Sequence, residues 1–446
     1  MQAFDKIQDY AKAVCGQVRW KQAHAAISEE IENHIIDQRD VYISDGMDKA
    51  TATQKAIAQM GDHVTVGALL DRTHRPKPQW GMILLTAALL FTGFVIRLLI
   101  GSDEQWLITI LSALIGIGLM TAAYCIDFTL IGKYPKTVYF AILGISVGAL
   151  FIHKSDVGLI SLVFPLGFAA VVYAARNKGY WGIVLCGLSV LLLSFTVALL
   201  PYVSGFLLSG VSGLVILCIA ISRGWFGVKK VNGYLLVGIS VAIITLLAIL
   251  SISPGSYRWE RLRMMFNPAI DPNGSGYIGA QIRTLLGGAS LLGPGKAPGE
   301  MIQGWLNHNT ADYLFTYIIY HMGWFVFMLI MGALMLFIGK SIVLCIKQKS
   351  GLALFVSISV ILTFMIQAVC YVLINLTIVQ ISPISLPLIS QGNMATMINL
   401  ILIGVMLSVF RTGGIVRDQS TAETAKPRSS HGTMEGGPKM QPYKHI

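Results

Sequence analysis

Charged residues make up only 12% of these 446 residues. Soluble domains carry about 25%, so a water-facing globular fold is excluded. Cysteine is sparse and scattered. The six (Cys15, Cys125, Cys186, Cys218, Cys345, Cys370) fall mostly within or at the ends of apolar runs. None has a metal-ligand spacing and none lies in the long polar segment 253–311 where oxidation could pair it, so they read as small apolar fillers. No internal repeat is visible, which argues against a transporter assembled from inverted halves. A cleavable leader is not expected, because the first 75 residues are polar and the first apolar run is a full span long.

What is present is hydrocarbon. Hydrophobic residues reach 54%, and crossing the bilayer core takes about 20 apolar residues. Ten stretches qualify: Trp80–Ile100, Gln105–Ile126, Thr137–Ile152, Val157–Ala175, Tyr180–Leu200, Tyr202–Ser222, Gly233–Ile252, Tyr313–Ile338, Gly351–Asn375 and Met394–Phe410. The expected fold is all-α and polytopic. Lys and Arg in the short connections set orientation. One side collects Arg72, Arg75 and Lys77, then Lys133 and Lys136, Arg176 and Lys178, Arg223, Lys229 and Lys230, Lys340, Lys347 and Lys349, and finally Arg411 and Arg417. The opposite short loops offer little beyond Lys154. Both termini are therefore expected in the cytoplasm of a multi-pass cytoplasmic membrane protein, with loop 253–311 outside. The net charge of +11 reflects this topology and contact with anionic lipid headgroups, and nucleic acid is not an expected partner.

Three regions follow. Residues 1–75 are expected to form a small cytoplasmic helical domain. Phe4, Ile7, Val14 and Val18 make one apolar stripe at helical spacing, and Ile27, Ile31 and Ile35 another. Gly61 is placed to stop a helix and Asp62 to cap the next. "EEIENHI", the Asp45–Gly46 turn and "KAIAQMGD" resemble the HAAS or permease-prefix domains that precede membrane proteins of Gram-positive bacteria. That resemblance implies a regulatory or docking module and a Gram-positive source. Residues 76–410 hold the spans. Residues 411–446 have no apolar period and are rich in Gly, Pro, Ser and Lys, as in a disordered cytoplasmic tail.

The polar island between the seventh and eighth spans carries Arg258, Arg261, Arg263, Arg283, Lys296 and, where the next span begins, Asp312. An ionisable residue at a membrane boundary is a functional candidate by default. Asp312 also suits a plainer role, an acid at a helix N-terminus favoured by the macrodipole. Gln367, Tyr371 and Asn375 recur every four residues and so line one face of the ninth span. They suit either interhelical hydrogen bonding or a substrate groove.

Several motifs stand in the order and spacing of a known family. Tyr257, Arg261-Leu262, Phe266-Asn267-Pro268, Asp271, Gly276-Tyr277 and Gly293-Pro294-Gly295 lead to "LNHNTADYLFTYIIYHMG". "ISLPLIS" (384–390) precedes the last span. Together these resemble the SEDS family, the RodA/FtsW/SpoVE-type proteins that polymerise peptidoglycan glycan strands. The resemblance places Asp312 on the family's essential aspartate. It implies lipid II and nascent glycan as substrates, a class B penicillin-binding transpeptidase as partner, and a divalent cation (Mg or Mn), for which the sequence shows no dedicated cage. Glycan extension needs a base for the acceptor hydroxyl, which a carboxylate supplies. It also needs cations for the pyrophosphate, which guanidinium forks bind bidentately. Asp312 is the expected base, and Arg258, Arg261, Arg263, Lys296, Gln367, Asn375 and Ser390 the expected substrate-binding residues.

The chain departs from the family pattern in places. Ala311 stands where the family has threonine, Tyr320-His321 replaces an acidic pair, and "SQGNMA" (390–395) replaces a serine- and glycine-rich opening of the last span. These losses keep two other readings open, a lipid-precursor flippase and a non-catalytic scaffold for the transpeptidase.

Overall fold

The computed structural model describes residues 2–76, 78–100, 106–152, 156–200, 202–250, 276–296, 312–389 and 393–413, with single residues 259, 263, 265, 271 and 274 between them. The described residues contain helices and no strand.

Four helices open the chain: α1 (Gln2–Gln17), α2 (His24–Ser44), α3 (Lys49–Met60) and α4 (His63–His74). They enclose a core of their own in which Ile7, Val14, Val18, Ile27, Ile31 and Ile35 meet. These are the apolar stripes of the sequence. The boundaries have local causes. Asp48 caps α3 by accepting from the Ala50 and Thr51 amides, both at 3.1 Å. Gly61, at φ +88°, ends α3, and Asp62 accepts the Thr65 amide at 3.1 Å to start α4. Hydrogen bonds to the ionised form, from the Thr51 hydroxyl and then its amide at Asp48 and from the Thr65 amide at Asp62, hold both carboxyls below the usual range.

The membrane part follows as α5 (Trp80–Ile100), α6 (Trp106–Cys125), α7 (Thr129–Lys133), α8 (Pro135–Ile152), α9 (Asp156–Ile160), α10 (Phe164–Ala174), α11 (Gly179–Ala198), α12 (Val203–Ser222), α13 (Lys230–Leu250), α14 (Tyr277–Gly287), α15 (Leu314–Met322), α16 (Trp324–Ile346), α17 (Gly351–Asn375) and α18 (Asn393–Thr412). Seven stretches among the described residues are long and apolar enough to cross a membrane, and shorter apolar helices occupy Trp80–Ile96, Ile110–Cys125 and Lys230–Ile243. Of the seven, α17 is the most enclosed and α8 the least.

Among the described residues, two spans are interrupted. A 3₁₀ turn over Ser161–Val163 joins α9 to α10, and Pro165 at the head of α10 contributes no amide donor. The Thr363 hydroxyl of α17 lies 3.3 Å from the Leu162 carbonyl and shares its one hydrogen between that oxygen and the Ser359 carbonyl at 3.0 Å. A hydroxyl of α17 thus stands at the turn, where backbone groups in a low-dielectric surrounding need partners. The second interruption corrects the expected span Tyr313–Ile338. Gly323, at φ +95°, ends α15, and the membrane-crossing helix is α16, displaced toward the C-terminus. A single residue in a left-handed conformation leaves hydropathy unchanged while it turns the chain.

Small polar side chains line α17 without charge. Ser357, Ser359 and Thr363 are buried and return their hydroxyls to carbonyls one turn back, Ala353, Val356 and Ser359, at 2.7, 2.7 and 3.0 Å. Gln367 and Asn399 of α18, both fully buried, exchange amide hydrogen bonds at 3.1 and 3.3 Å. On its other side α18 approaches α6 closely. A Cβ at Gly404 would collide with the Met120 carbonyl and lie 2.8 Å from Ala123 Cβ, while Ser408 donates to the Ile126 carbonyl at 2.8 Å. Gly404→Val is expected to push these helices apart and cost about 1–3 kcal/mol. The measurement is a lowered unfolding midpoint in detergent, with the helical content seen by circular dichroism before unfolding unchanged.

Candidate functional site

The start of α15 sets the position of Asp312. Its N-cap residue, Tyr313, makes no side-chain capping bond, so the first-turn amides need acceptors from elsewhere. They find them on α17. Tyr371 Oη accepts the Leu314 amide at 2.9 Å, and Asn375 Oδ1 accepts the Thr316 amide at 3.0 Å. Thr316 Oγ1 donates to the Asn375 carbonyl at 3.0 Å. Asn375 Nδ2 donates to the carbonyls of Tyr371 at 3.0 Å and Asp312 at 3.3 Å. Tyr371, Asn375 and Thr316 are completely buried. An orphaned amide there would cost about 1–3 kcal/mol.

Asp312 itself does not cap the helix. Its side chain is exposed, yet neighbouring protein displaces enough water from the carboxyl to raise its pKa above the usual value. A capping carboxylate, by contrast, has its pKa lowered by the amides it accepts.

Other segments of the polar island converge on the same end of α17. Ile282 of α14 packs with Tyr313 and Ile374. The next residue, Arg283, is exposed and its Nε donates to Thr377 Oγ1 at 3.4 Å. Thr377 takes φ +53° immediately after the helix. The Gln380 amide donates to the Met265 carbonyl at 2.8 Å, which brings exposed Arg263, two residues earlier, to this region. Residues 375–380 thus gather Asp312, Arg283 and the Arg263 segment around one helix end.

The glycine-rich stretch serves the other end of α15. The amides of Gly295 and Gly293 donate to the carbonyls of Tyr320 and Met322 at 2.7 and 3.1 Å. The amides of Trp324 and Phe325, at the start of α16, donate to the carbonyls of Ser290 and Leu291, both at 3.1 Å. One loop therefore satisfies the orphan groups of two helix ends. The Lys296 amide closes it on the Gly288 carbonyl at 2.9 Å. A Cβ on Gly288 would lie 2.7 Å from the Lys296 carbonyl, and one on Gly295 2.7 Å from the Gly288 carbonyl, so this approach requires glycine at both positions. Exposed Lys296 is carried beside the Tyr320 backbone as a result.

The expected site residues separate into three groups. Asp312, Arg263 and Lys296 lie on the surface described above. Gln367 and Asn375 do not face a groove; both are buried, and their amides are spent on Asn399 and on the start of α15. In a dry interior an amide is held by protein partners. Arg258, Arg261 and Ser390 lie outside the described residues, as does the tail from 414. His321 stacks on Tyr317 with ring centroids 4.3 Å apart and meets Tyr320 edge-on at 5.0 Å. Arg283 was visible in the sequence as one of several loop cations, but its link to Thr377 had no local signature. Asn399 was missed, although an asparagine amid "INLILIG" is itself an indication of an interhelical partner.

Among the described residues no three His, Cys, Asp or Glu side chains group as metal ligands. Asp312 offers a hard oxygen donor for a divalent cation but belongs to no such group. An apolar cavity of about 420 Å³ lies between α11, α12 and α13. No ionisable side chain lines it, so it suits hydrocarbon rather than the chemistry of Asp312.

Fold and site together define a multi-pass helical membrane protein whose polar groups concentrate where one helix is interrupted. The family model for the FtsW/RodA/SpoVE cell cycle proteins matches residues 145–413, more than half of the chain, and the chain belongs to that family. A probable peptidoglycan glycosyltransferase FtsW of Enterococcus hirae is 23% identical over 341 residues, 74% of this chain and 79% of that protein. Its counterpart in Trichlorobacter lovleyi is 22% identical over 171 residues, 38% of this chain and 44% of that protein. With a further FtsW, of Xanthomonas oryzae, the match spans 37% of the relative, so the chain spans less than half the length of these two. Among solved structures, a chain from a peptidoglycan synthase complex that coordinates polymerization and crosslinking aligns with a TM-score of 0.58 at 19% identity, covering 75% of this chain and 98% of that one. The rod shape determining protein RodA of Thermus thermophilus aligns at 0.52 and 15% identity, covering 75% and 97%. At these identities the likeness is one of fold.

Replacing Gly288 by alanine is expected to unseat the loop from α15 and α16, at about 1–3 kcal/mol of local stability. Limited trypsin digestion of the purified protein would then cut after Lys296 faster than in the wild type.

Proposed function

We propose that the chain is a membrane glycosyltransferase that polymerises lipid II into peptidoglycan glycan strands at the outer face of the cytoplasmic membrane. The observation that carries this reading is the placing of exposed Asp312 at the start of α15, its backbone carbonyl held by Asn375, at the same end of α17 that receives Arg283 and the Arg263 segment. In the step envisaged, Asp312 accepts the proton of the acceptor sugar's hydroxyl as that oxygen attacks the anomeric carbon of the donor. A carbon–oxygen bond forms there, the bond to the pyrophosphate oxygen breaks, and the lipid pyrophosphate leaves with the electron pair. Arg263, Arg283 and Lys296, with Arg258 and Arg261 from the same loop, are the groups suited to that anionic leaving group.

Support comes from the relatives named as probable peptidoglycan glycosyltransferases, which lends nothing to the flippase or scaffold readings. The fold shared with a chain of a polymerizing and crosslinking complex supports a class B penicillin-binding transpeptidase as partner. A divalent cation such as Mg or Mn would neutralise pyrophosphate charge, with Asp312 as its candidate oxygen donor. Both termini are read as cytoplasmic and the source as Gram-positive, from the loop charges and the prefix-like domain.

The test is polymerisation of labelled lipid II by the purified full-length chain. Asp312→Asn is expected to lower the rate about 100-fold or more, the contribution of a positioned base. The ionised carboxylate is the active form, so the rate should fall as pH drops through its pKa. Because dehydration raises that pKa, the acid limb should lie above the ordinary aspartate value of about 3.9. An Asp312→Asn protein as active as wild type removes the base assignment.

A further inference from the structure

The hydrogen bonds at the start of α15 assign a role to residues outside the reacting surface. We infer that Tyr371 and Asn375 are positioning residues, a cap lent by α17 that holds the Asp312 carboxylate at its working place. This inference rests on the assignment of Asp312 as the base.

The geometry gives the cap two halves. Tyr371 Oη and Asn375 Oδ1 accept the first- and third-residue amides of α15, at 2.9 and 3.0 Å. Asn375 Nδ2 reaches back to the Asp312 carbonyl at 3.3 Å. The peptide groups on both sides of Tyr313 are thereby tied to one rigid, enclosed helix, and the aspartate between helix and loop loses its freedom to swing. An intrahelical cap fixes only the helix start relative to itself. A cap from α17 also fixes it relative to Thr377, and through Thr377 Oγ1 to Arg283 at 3.4 Å. Base and cation share one frame. Both cap residues are fully buried, so the role inferred for them is exercised through Asp312.

Two variants separate this from general stabilisation. Tyr371→Phe deletes one acceptor and keeps the ring packed edge-on against Phe315, whose centroid lies 5.2 Å away. Asn375→Asp keeps an acceptor for the Thr316 amide but replaces the two amide hydrogens that reach the Tyr371 and Asp312 carbonyls with at most one carboxyl hydrogen. Misplacement of a reacting group by about 1 Å costs about 100-fold, so each variant is expected to lower kcat about 10- to 100-fold with KM for lipid II unchanged. Hydrogen exchange at the Leu314 and Thr316 amides, read on the full-length protein in detergent without substrate, should quicken at Leu314 in Tyr371→Phe and stay slow at Thr316 in Asn375→Asp. Unchanged exchange at Leu314 in Tyr371→Phe overturns the cap whatever Asp312 does. Faster exchange with wild-type kcat in both variants, while Asp312→Asn is inactive, overturns the positioning role. An active Asp312→Asn protein instead sinks the base assignment on which the positioning role stands.

Discussion

A backbone amide that leaves water must find an acceptor, and at the start of α15 the local chain supplies none. The acceptors come from Tyr371 and Asn375, side chains on the most enclosed of the seven candidate spans. This requirement organises the surrounding structure. Helix α17 must end where α15 begins, the residues after Asn375 must turn sharply through Thr377, and the polar island must return to the same place to supply Asp312. The interrupted span is tolerable in a membrane only because the glycine-rich loop completes the other end of α15.

The same economy appears at each break. Thr363 answers the Leu162 carbonyl across the 3₁₀ turn. Ser290 and Leu291 answer the first amides of α16, and Gly293 and Gly295 the last carbonyls of α15. Neutral side chains and backbone carry out this work, which leaves the ionisable groups of the site at the surface. Charge is placed at the rim and polarity without charge in the interior.

Much of the fold was legible in the sequence. Apolar runs located the helices of the membrane part, and the spacing of Ile27, Ile31 and Ile35 described the inward face of α2. Gly61 and Asp62 marked a helix stop and start because each carries its cause locally. Asp312 stood out as an acid at an apolar boundary. The rest depended on partners distant in the chain. Gly323 sits in a continuous apolar run, so its break is invisible to hydropathy. Gln367 and Asn375 suit interhelical hydrogen bonding or a groove from sequence, and their partners Asn399 and Thr316 lie 32 and 59 residues away. Arg283 became distinct from the other loop cations only through Thr377, 94 residues on.

The reciprocal amide pair between Gln367 and Asn399 carries a consequence for an energised membrane. Neither group titrates, and neither moves a net charge along the electric field. The attachment of α18 to α17 should therefore hold with the same strength whether the bilayer is polarised or collapsed, acidified or neutral. A lysine–glutamate pair at that depth would have made the joint responsive to both.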